Sequence, residues 1–128
     1  MDPADLQNLP LFESLDRREL ERLSKWATDL DFPAGHHVVD QGEVAWEFFV
    51  ILDGEAQVLR NADELAVLGP GDFFGEMALQ ANDRRNASVV AKTPLRLAVM
   101  LGRDFKEMKE EMPHVAAAIT SAITKRSG

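Results

Sequence analysis

The 128-residue chain contains no cysteine. Disulfides, thiolate zinc sites and cysteine nucleophiles are therefore excluded, and the composition suits a reducing compartment. Long hydrophobic runs are missing as well. The longest, Phe48-Phe49-Val50-Ile51-Leu52, falls far short of the roughly 20 residues a bilayer-spanning helix needs. The start, Met1-Asp2-Pro3-Ala4-Asp5, is acidic and lacks the apolar stretch of a secretory signal. A cytoplasmic location without a membrane partner is expected. Positive charge is scarce: 14 Lys and Arg stand against 22 Asp and Glu, a formal charge of −8. Non-specific nucleic-acid binding relies on clustered cations facing phosphates, so direct contact with nucleic acid is not expected. An anionic ligand would need a local site that overrides the global field, which gives weight to the placement of each arginine. Repeats, low-complexity stretches and linkers are also absent, and residues 1–128 are expected to form one domain around one core.

What the chain does contain is patterned in three parts. A helix is expected over 15–31: Asp16 and Glu19 have capping-box spacing, and Leu20, Leu23, Ala27 and Leu30 follow at helical intervals. Phe32-Pro33-Ala34-Gly35 then turns the chain. Over 36–100 the apolar runs shorten to Val38-Val39, Phe48–Leu52, Ala56–Leu59, Leu65–Leu68, Ser88–Ala91 and Leu95–Met100, separated by glycine, proline and asparagine. Many short strands at this spacing indicate a sandwich or barrel. Asp53-Gly54 between two such runs reads as a hairpin turn. Helices return over 103–126, with Phe105, Met108 and Met112 on one face and Pro113 restarting the chain. Trp26, Trp46 and the phenylalanines are expected to pack in the core or at its edge. The fold expected is mainly β with flanking helices: an antiparallel β-roll or jelly-roll-like barrel, an N-terminal helix and two C-terminal helices.

One segment breaks the strand pattern. Gly69-Pro70-Gly71-Asp72-Phe73-Phe74-Gly75 leads into the helix-forming Glu76-Met77-Ala78-Leu79, and Arg84-Arg85-Asn86-Ala87-Ser88-Val89 follows. A short helix entered through a glycine would aim free N–H groups and its positive end at one point, which suits an anion. Gly75 lets a ligand approach the backbone closely. Arg85 offers a planar fork matched to phosphate oxygens, and Glu76 offers acceptors matched to a sugar hydroxyl. Arg84, next to Arg85 in an extended segment, is expected in solvent. Together these residues describe a site for a phosphate joined to a sugar.

The ordered set resembles the cyclic nucleotide-binding domain family, the sensor module of catabolite-activator-type regulators, cyclic-nucleotide-dependent kinases and gated channels. The resemblance covers nearly the whole chain: Leu9-Pro10-Leu11-Phe12, the glycines at 35, 42 and 54, the Pro-Gly-Asp-Phe-Phe-Gly-Glu run and Arg85-Asn86-Ala87-Ser88. It implies a phosphate cassette at 75–88, with Glu76 on the ribose 2′-hydroxyl and Arg85 on the phosphate. Gly75, Met77, Ala78, Asn86, Ala87 and Ser88 complete the cradle, largely through backbone amides. The ligand is cAMP or cGMP, with cAMP favoured on family frequency, and no cofactor is implied. Asn86 departs from the Ala, Ser or Thr usual after the arginine, so it is a candidate for tuning base choice. No DNA-binding, kinase or channel segment is legible in these 128 residues, so the output that such sensors drive is missing from them.

The resemblance implies binding and signalling, not catalysis. Ligand would order the cassette and move the C-terminal helices, and the last of these would make any homodimer or effector contact. Ile119 and Ile123 share a helical face, with Thr120 and Thr124 beside them, and are expected to act as a lid over the purine. Arg85→Ala is expected to weaken binding with little effect on folding. Two other readings compete. A cupin-type metal enzyme would use His36, His37, Glu43 or Glu47, but adjacent histidines on a strand face opposite ways, and His114 lies in a helix. A degenerate member of the family would serve as an interaction module without nucleotide, which the retention of Gly75, Glu76 and Arg85 opposes.

Overall fold

The computed structural model describes residues 1–76 and 84–127, the stretch 123–127 by its backbone alone. Helix α1 (Pro3–Gln7) and a 3-10 turn (Pro10–Phe12) precede α2 (Arg17–Trp26). Eight strands follow among the described residues: β1 (Ala27–Phe32), β2 (His37–Val39), β3 (Glu47–Asp53), β4 (Ala56–Arg60), β5 (Asp63–Leu68), β6 (Phe73–Phe74), β7 (Ser88–Ala91) and β8 (Leu95–Leu101). Helices α3 (Gly102–Glu111) and α4 (Pro113–Ser127) close the chain. The strands form two four-stranded antiparallel sheets, β1-β8-β3-β6 and β2-β7-β4-β5. This is the mainly β roll with flanking helices that the sequence pattern predicts.

Strand alternation divides the apolar residues between two cores. Phe49 and Ile51 on β3 and Leu95 and Leu97 on β8 point between the sheets, where they meet Val39, Ala56, Val89 and Ala91. Phe48, Val50, Ala98 and Met100 point outward, under a helical layer that includes Leu6, Phe12, Leu23, Phe105, Met108, Val115 and Ile119. Central strand β3 is thus buried on both faces, which is why its run is continuously apolar. Each such side chain contributes roughly 1.5–3 kcal/mol by leaving water.

Three expectations change. The first helix spans Arg17–Trp26 rather than 15–31. Its capping box forms, with Glu19 N donating to Asp16 Oδ1 at 2.8 Å and Asp16 N to Glu19 Oε1 at 3.2 Å. From Ala27 onward the chain instead pairs with β8, so the roll begins at Ala27 and ends at Leu101. Tertiary pairing overrides the helical spacing of Ala27 and Leu30, and Leu30 is left 41% exposed. Second, Asp53-Gly54 is not a hairpin turn, because β3 and β4 belong to different sheets. Gly54 makes the crossing at φ +90°, where a Cβ would lie 2.2 Å from the Pro94 carbonyl oxygen. The two-residue hairpin is β4–β5, with Asn61 at φ 52° and Ala62 at φ 70°. Third, the C-terminal helices occupy Gly102–Glu111 and Pro113–Ser127, a shift of one residue at each outer end from 103–126. Among the described residues, no helix is long and apolar enough to cross a membrane.

Candidate functional site

Arg85 organises the site. It is only 6% exposed, although its guanidinium is charged. Nη1 donates to the Gly75 carbonyl at 2.8 Å and Nη2 to the Glu47 carbonyl at 2.7 Å. The guanidinium also sits over the ring of Phe49, 5.8 Å from its centroid. Burial pushes the Arg85 pKa below its ordinary value, while the carboxylates of Glu47, Glu76 and Glu43 oppose that shift. Of five guanidinium N–H groups, three make no hydrogen bond among the described residues. A cationic fork is thus fixed in direction with donors in reserve.

Gly75 is required twice over. Its φ of +93° disfavours any side chain, and a Cβ would stand 2.7 Å from Arg85 Nη1 and 3.0 Å from the Glu47 carbonyl oxygen. The preceding Phe74 stacks on Phe49 at 4.7 Å, which fixes the approach to the turn. Glu76 is 2% exposed and close enough to Arg85 for its charge to oppose the lowering of the Arg85 pKa by burial. A buried carboxylate and a buried guanidinium therefore share one corner of the roll. The structure brings Gly75, Glu76 and Arg85 together across a gap of ten residues in sequence.

The strip after Arg85 is gripped from outside. Gly42 N donates to the Arg85 carbonyl at 2.8 Å, and Arg85 N donates to the Glu43 carbonyl at 2.7 Å. Arg60 Nε donates to the Asn86 carbonyl at 3.2 Å, and Ser88 Oγ accepts from Gln41 N at 2.9 Å. Ala87 is buried and Asn86 is exposed, its amide making no hydrogen bond among the described residues. Arg84 is exposed as expected, yet it also donates to the Gly42 carbonyl at 2.9 Å. Met77 and Ala78, named as cradle residues, lie outside the described residues.

A hollow of about 420 Å³ opens beside Arg85, lined by Val38, Val39, Glu43, Val44, Trp46 and Glu47. Trp46 is not core: it is 68% exposed at the rim of this hollow. The backbone of β3 carries the contact to Arg85, so the role of Glu47 left no signal in its side chain.

Of the residues named as a lid, the side chains of Ile119 and Thr120 are described. Ile119 is 1% exposed within the helical core, with Met112 and Val115. Thr120 is exposed and donates to the Ala116 carbonyl at 3.1 Å. Neither lines the hollow beside Arg85. The side chains of Ile123 and Thr124 lie outside the described residues. The histidines are likewise separated: His36 stacks on Phe32, His37 pairs with Asp40 at 2.7 Å and His114 faces Glu19 at 3.4 Å.

A β-roll carrying a buried arginine against a glycine turn and beside a buried glutamate is the architecture on which the comparisons with known proteins converge. The chain belongs to the cyclic nucleotide-binding domain family, whose profile matches residues 29–112. It is 39% identical over 94 residues to the cAMP-dependent protein kinase regulatory subunit of Schizosaccharomyces pombe, covering 73% of this chain and 23% of the relative. It is 33% identical over 120 residues to a cyclic nucleotide-gated potassium channel of Rhizobium etli, covering 94% of this chain and 34% of the channel. The catabolite activator protein of Thermus thermophilus superposes with a TM-score of 0.83 at 27% identity, over 91% of this chain and 57% of that one. The chain thus spans 23% and 34% of the length of these two curated relatives.

Proposed function

We propose that this chain is a cAMP sensor that prefers cAMP to cGMP, performs no catalysis and transmits binding through its C-terminal helices. One observation carries the reading: Arg85 is buried, aimed by the Gly75 and Glu47 carbonyls, and lies beside the buried Glu76, with three of its N–H groups making no hydrogen bond among the described residues. That arrangement suits an anionic phosphate joined to a hydroxyl-bearing sugar. Arg85 takes the phosphate, Glu76 the ribose 2′-hydroxyl, and the amides of Asn86, Ala87 and Ser88 complete the cradle. The preference for cAMP rests on the resemblance to the cAMP-dependent kinase regulatory subunit.

Two groups of contacts, one of backbone and one of rings, support transmission. The Glu47 carbonyl that holds Arg85 belongs to the residue paired with Leu101, and Gly102 N donates to the Trp46 carbonyl at 2.8 Å, so the start of α3 hangs on the residue just before β3. On β3 itself, Phe49 stacks on Phe74 at the site while Phe48 stacks on Phe105 of α3 at 4.6 Å. A ligand that draws on Arg85 therefore biases the seat of α3 and, through it, α4, which makes the output contact.

Parallel calorimetric titrations with cAMP, cGMP and AMP test the reading. The expected order is cAMP tightest and AMP weakest; no binding, or AMP equal to cAMP, overturns it. Glu76→Gln and 2′-deoxy-cAMP should give losses that do not add, because each removes the same contact. Hydrogen exchange in α3 and α4 should change on adding cAMP, and unchanged exchange would remove the transmission step.

A further inference from the structure

The β4–β5 hairpin stands outside the cassette, yet it holds the far end of it. Gln41, at the end of the β2 turn, makes three hydrogen bonds in two directions. Its backbone N donates to Ser88 Oγ at 2.9 Å. Its side chain pairs with Asn61: Nε2 donates to Asn61 Oδ1 at 3.1 Å, and Oε1 accepts from Asn61 N at 2.9 Å. From the same hairpin, Arg60 Nε donates to the Asn86 carbonyl at 3.2 Å. Gly42, next to Gln41, donates to the Arg85 carbonyl. Three of the four residues from Arg85 to Ser88 are thus tied either to Gln41-Gly42 or to the tip of β4.

We propose that Gln41 and Arg60 are positioning residues for the ligand: they close a ring through Asn61, Ser88 and Asn86 that holds the 85–88 strip ready before nucleotide arrives. The inference rests on the sensor reading above. Its physical content is preorganisation. A strip whose amides are already aimed loses less conformational freedom on binding, so affinity rises without any new contact to the ligand. The hairpin is suited to the task because its two-residue turn is conformationally narrow, with Asn61 and Ala62 both at positive φ. The Gln41–Asn61 pair is two hydrogen bonds in parallel, which fixes orientation as well as distance. Exposed hydrogen bonds of this kind add little to global stability, so their loss should be read in the strip, not in the fold.

The test uses the full chain with Gln41→Ala, Ser88→Ala and Ser88→Thr, none of which changes charge. Gln41→Ala and Ser88→Ala should each bind cAMP about three- to tenfold more weakly, the effect of losing one or two ordinary hydrogen bonds. Ser88→Thr keeps the hydroxyl that accepts from Gln41 N and should recover part of the affinity that Ser88→Ala loses. Without nucleotide, amide exchange at 86–88 should quicken in both alanine variants while the thermal midpoint holds. Wild-type affinity in Gln41→Ala overturns the ring alone. So does a loss of affinity that tracks a falling midpoint without faster exchange at 86–88. A wild type that binds neither cAMP nor cGMP overturns the sensor reading, and the ring's purpose with it.

Discussion

Replacing Arg85 with alanine should destabilise the domain even without nucleotide, contrary to the expectation from sequence that folding would hardly notice. The guanidinium is 6% exposed and bonds two carbonyls, at Gly75 and Glu47. Hydrogen bonds from a charged donor are worth about 1.5–3 kcal/mol each, and orphaned half-buried carbonyls add a desolvation cost of their own. Relief comes from the adjoining hollow of about 420 Å³, which Arg85 and Glu47 both line and through which water can reach the freed carbonyls. The balance is a loss of ~2–4 kcal/mol, which for a domain of this size lowers Tm by roughly 10 °C. Urea unfolding of both proteins without ligand measures it, with calorimetric titration at a temperature where both are folded. Nucleotide affinity should fall as well, by ~2–5 kcal/mol for one member of a buried charge contact. Arg85→Lys should restore part of each loss, since an ammonium cannot reach both carbonyls as a fork. If Arg85→Ala unfolds at the wild-type urea midpoint, the two carbonyl bonds carry no stability and the reasoning fails.

Three further outcomes follow from single positions. Gly75→Ala places a Cβ 2.7 Å from Arg85 Nη1 at φ +93°, so it should cost ~1–3 kcal/mol of stability and displace the guanidinium, seen as weaker cAMP binding in titration. Ala62→Gly relieves a non-glycine residue at φ 70° and should raise the unfolding free energy by about 1 kcal/mol, read as a higher urea midpoint, with cAMP affinity unchanged; a lower midpoint would contradict the turn assignment. Asn86, exposed and with a free amide among the described residues, should tune base choice more than total affinity. The cAMP-to-cGMP ratio measured for the wild type, Asn86→Ala and Asn86→Thr checks this, and a ratio flat across all three rules it out.

Most of the roll was legible because its strands are cut by residues with strong local preferences. Six apolar runs became β2, β3, β4, β5, β7 and β8 with small changes at their ends. β1 was misread because Leu20, Leu23, Ala27 and Leu30 keep helical spacing past the point where β8 captures the chain. Nothing local to Thr28-Asp29-Leu30-Asp31 announces that partner, which lies almost seventy residues on. Arg96 reinforces the pairing by bonding Asp29 and also Asp5 of α1, at 3.0 Å to the latter. The two-residue strand β6 escaped notice because Phe73-Phe74 alone carries no period. Asp53-Gly54 was read as a hairpin because positive φ at a glycine serves a sheet crossing as well as a turn. Only the pairing of β3 with β8 and of β4 with β7 separates the two.

The site divides along a similar line. Gly75, Glu76 and Arg85 were legible because their chemistry resides in side chains, or in the lack of one. What positions them was not, because it is carried by main-chain groups: the carbonyls of Glu47, Gly75 and Glu43, and the amides of Gly42 and Gln41. Any residue type supplies those groups, so their placement depends on register alone. The register of β3 against β8 fixes where the Glu47 carbonyl points, and that register is held by Phe49 and Ile51 on one face and Phe48 and Val50 on the other. A one-residue slip would exchange the two cores and turn the carbonyl away from Arg85. The packing of β3 is therefore part of the binding chemistry: the apolar residues that make it a central strand also aim the charge.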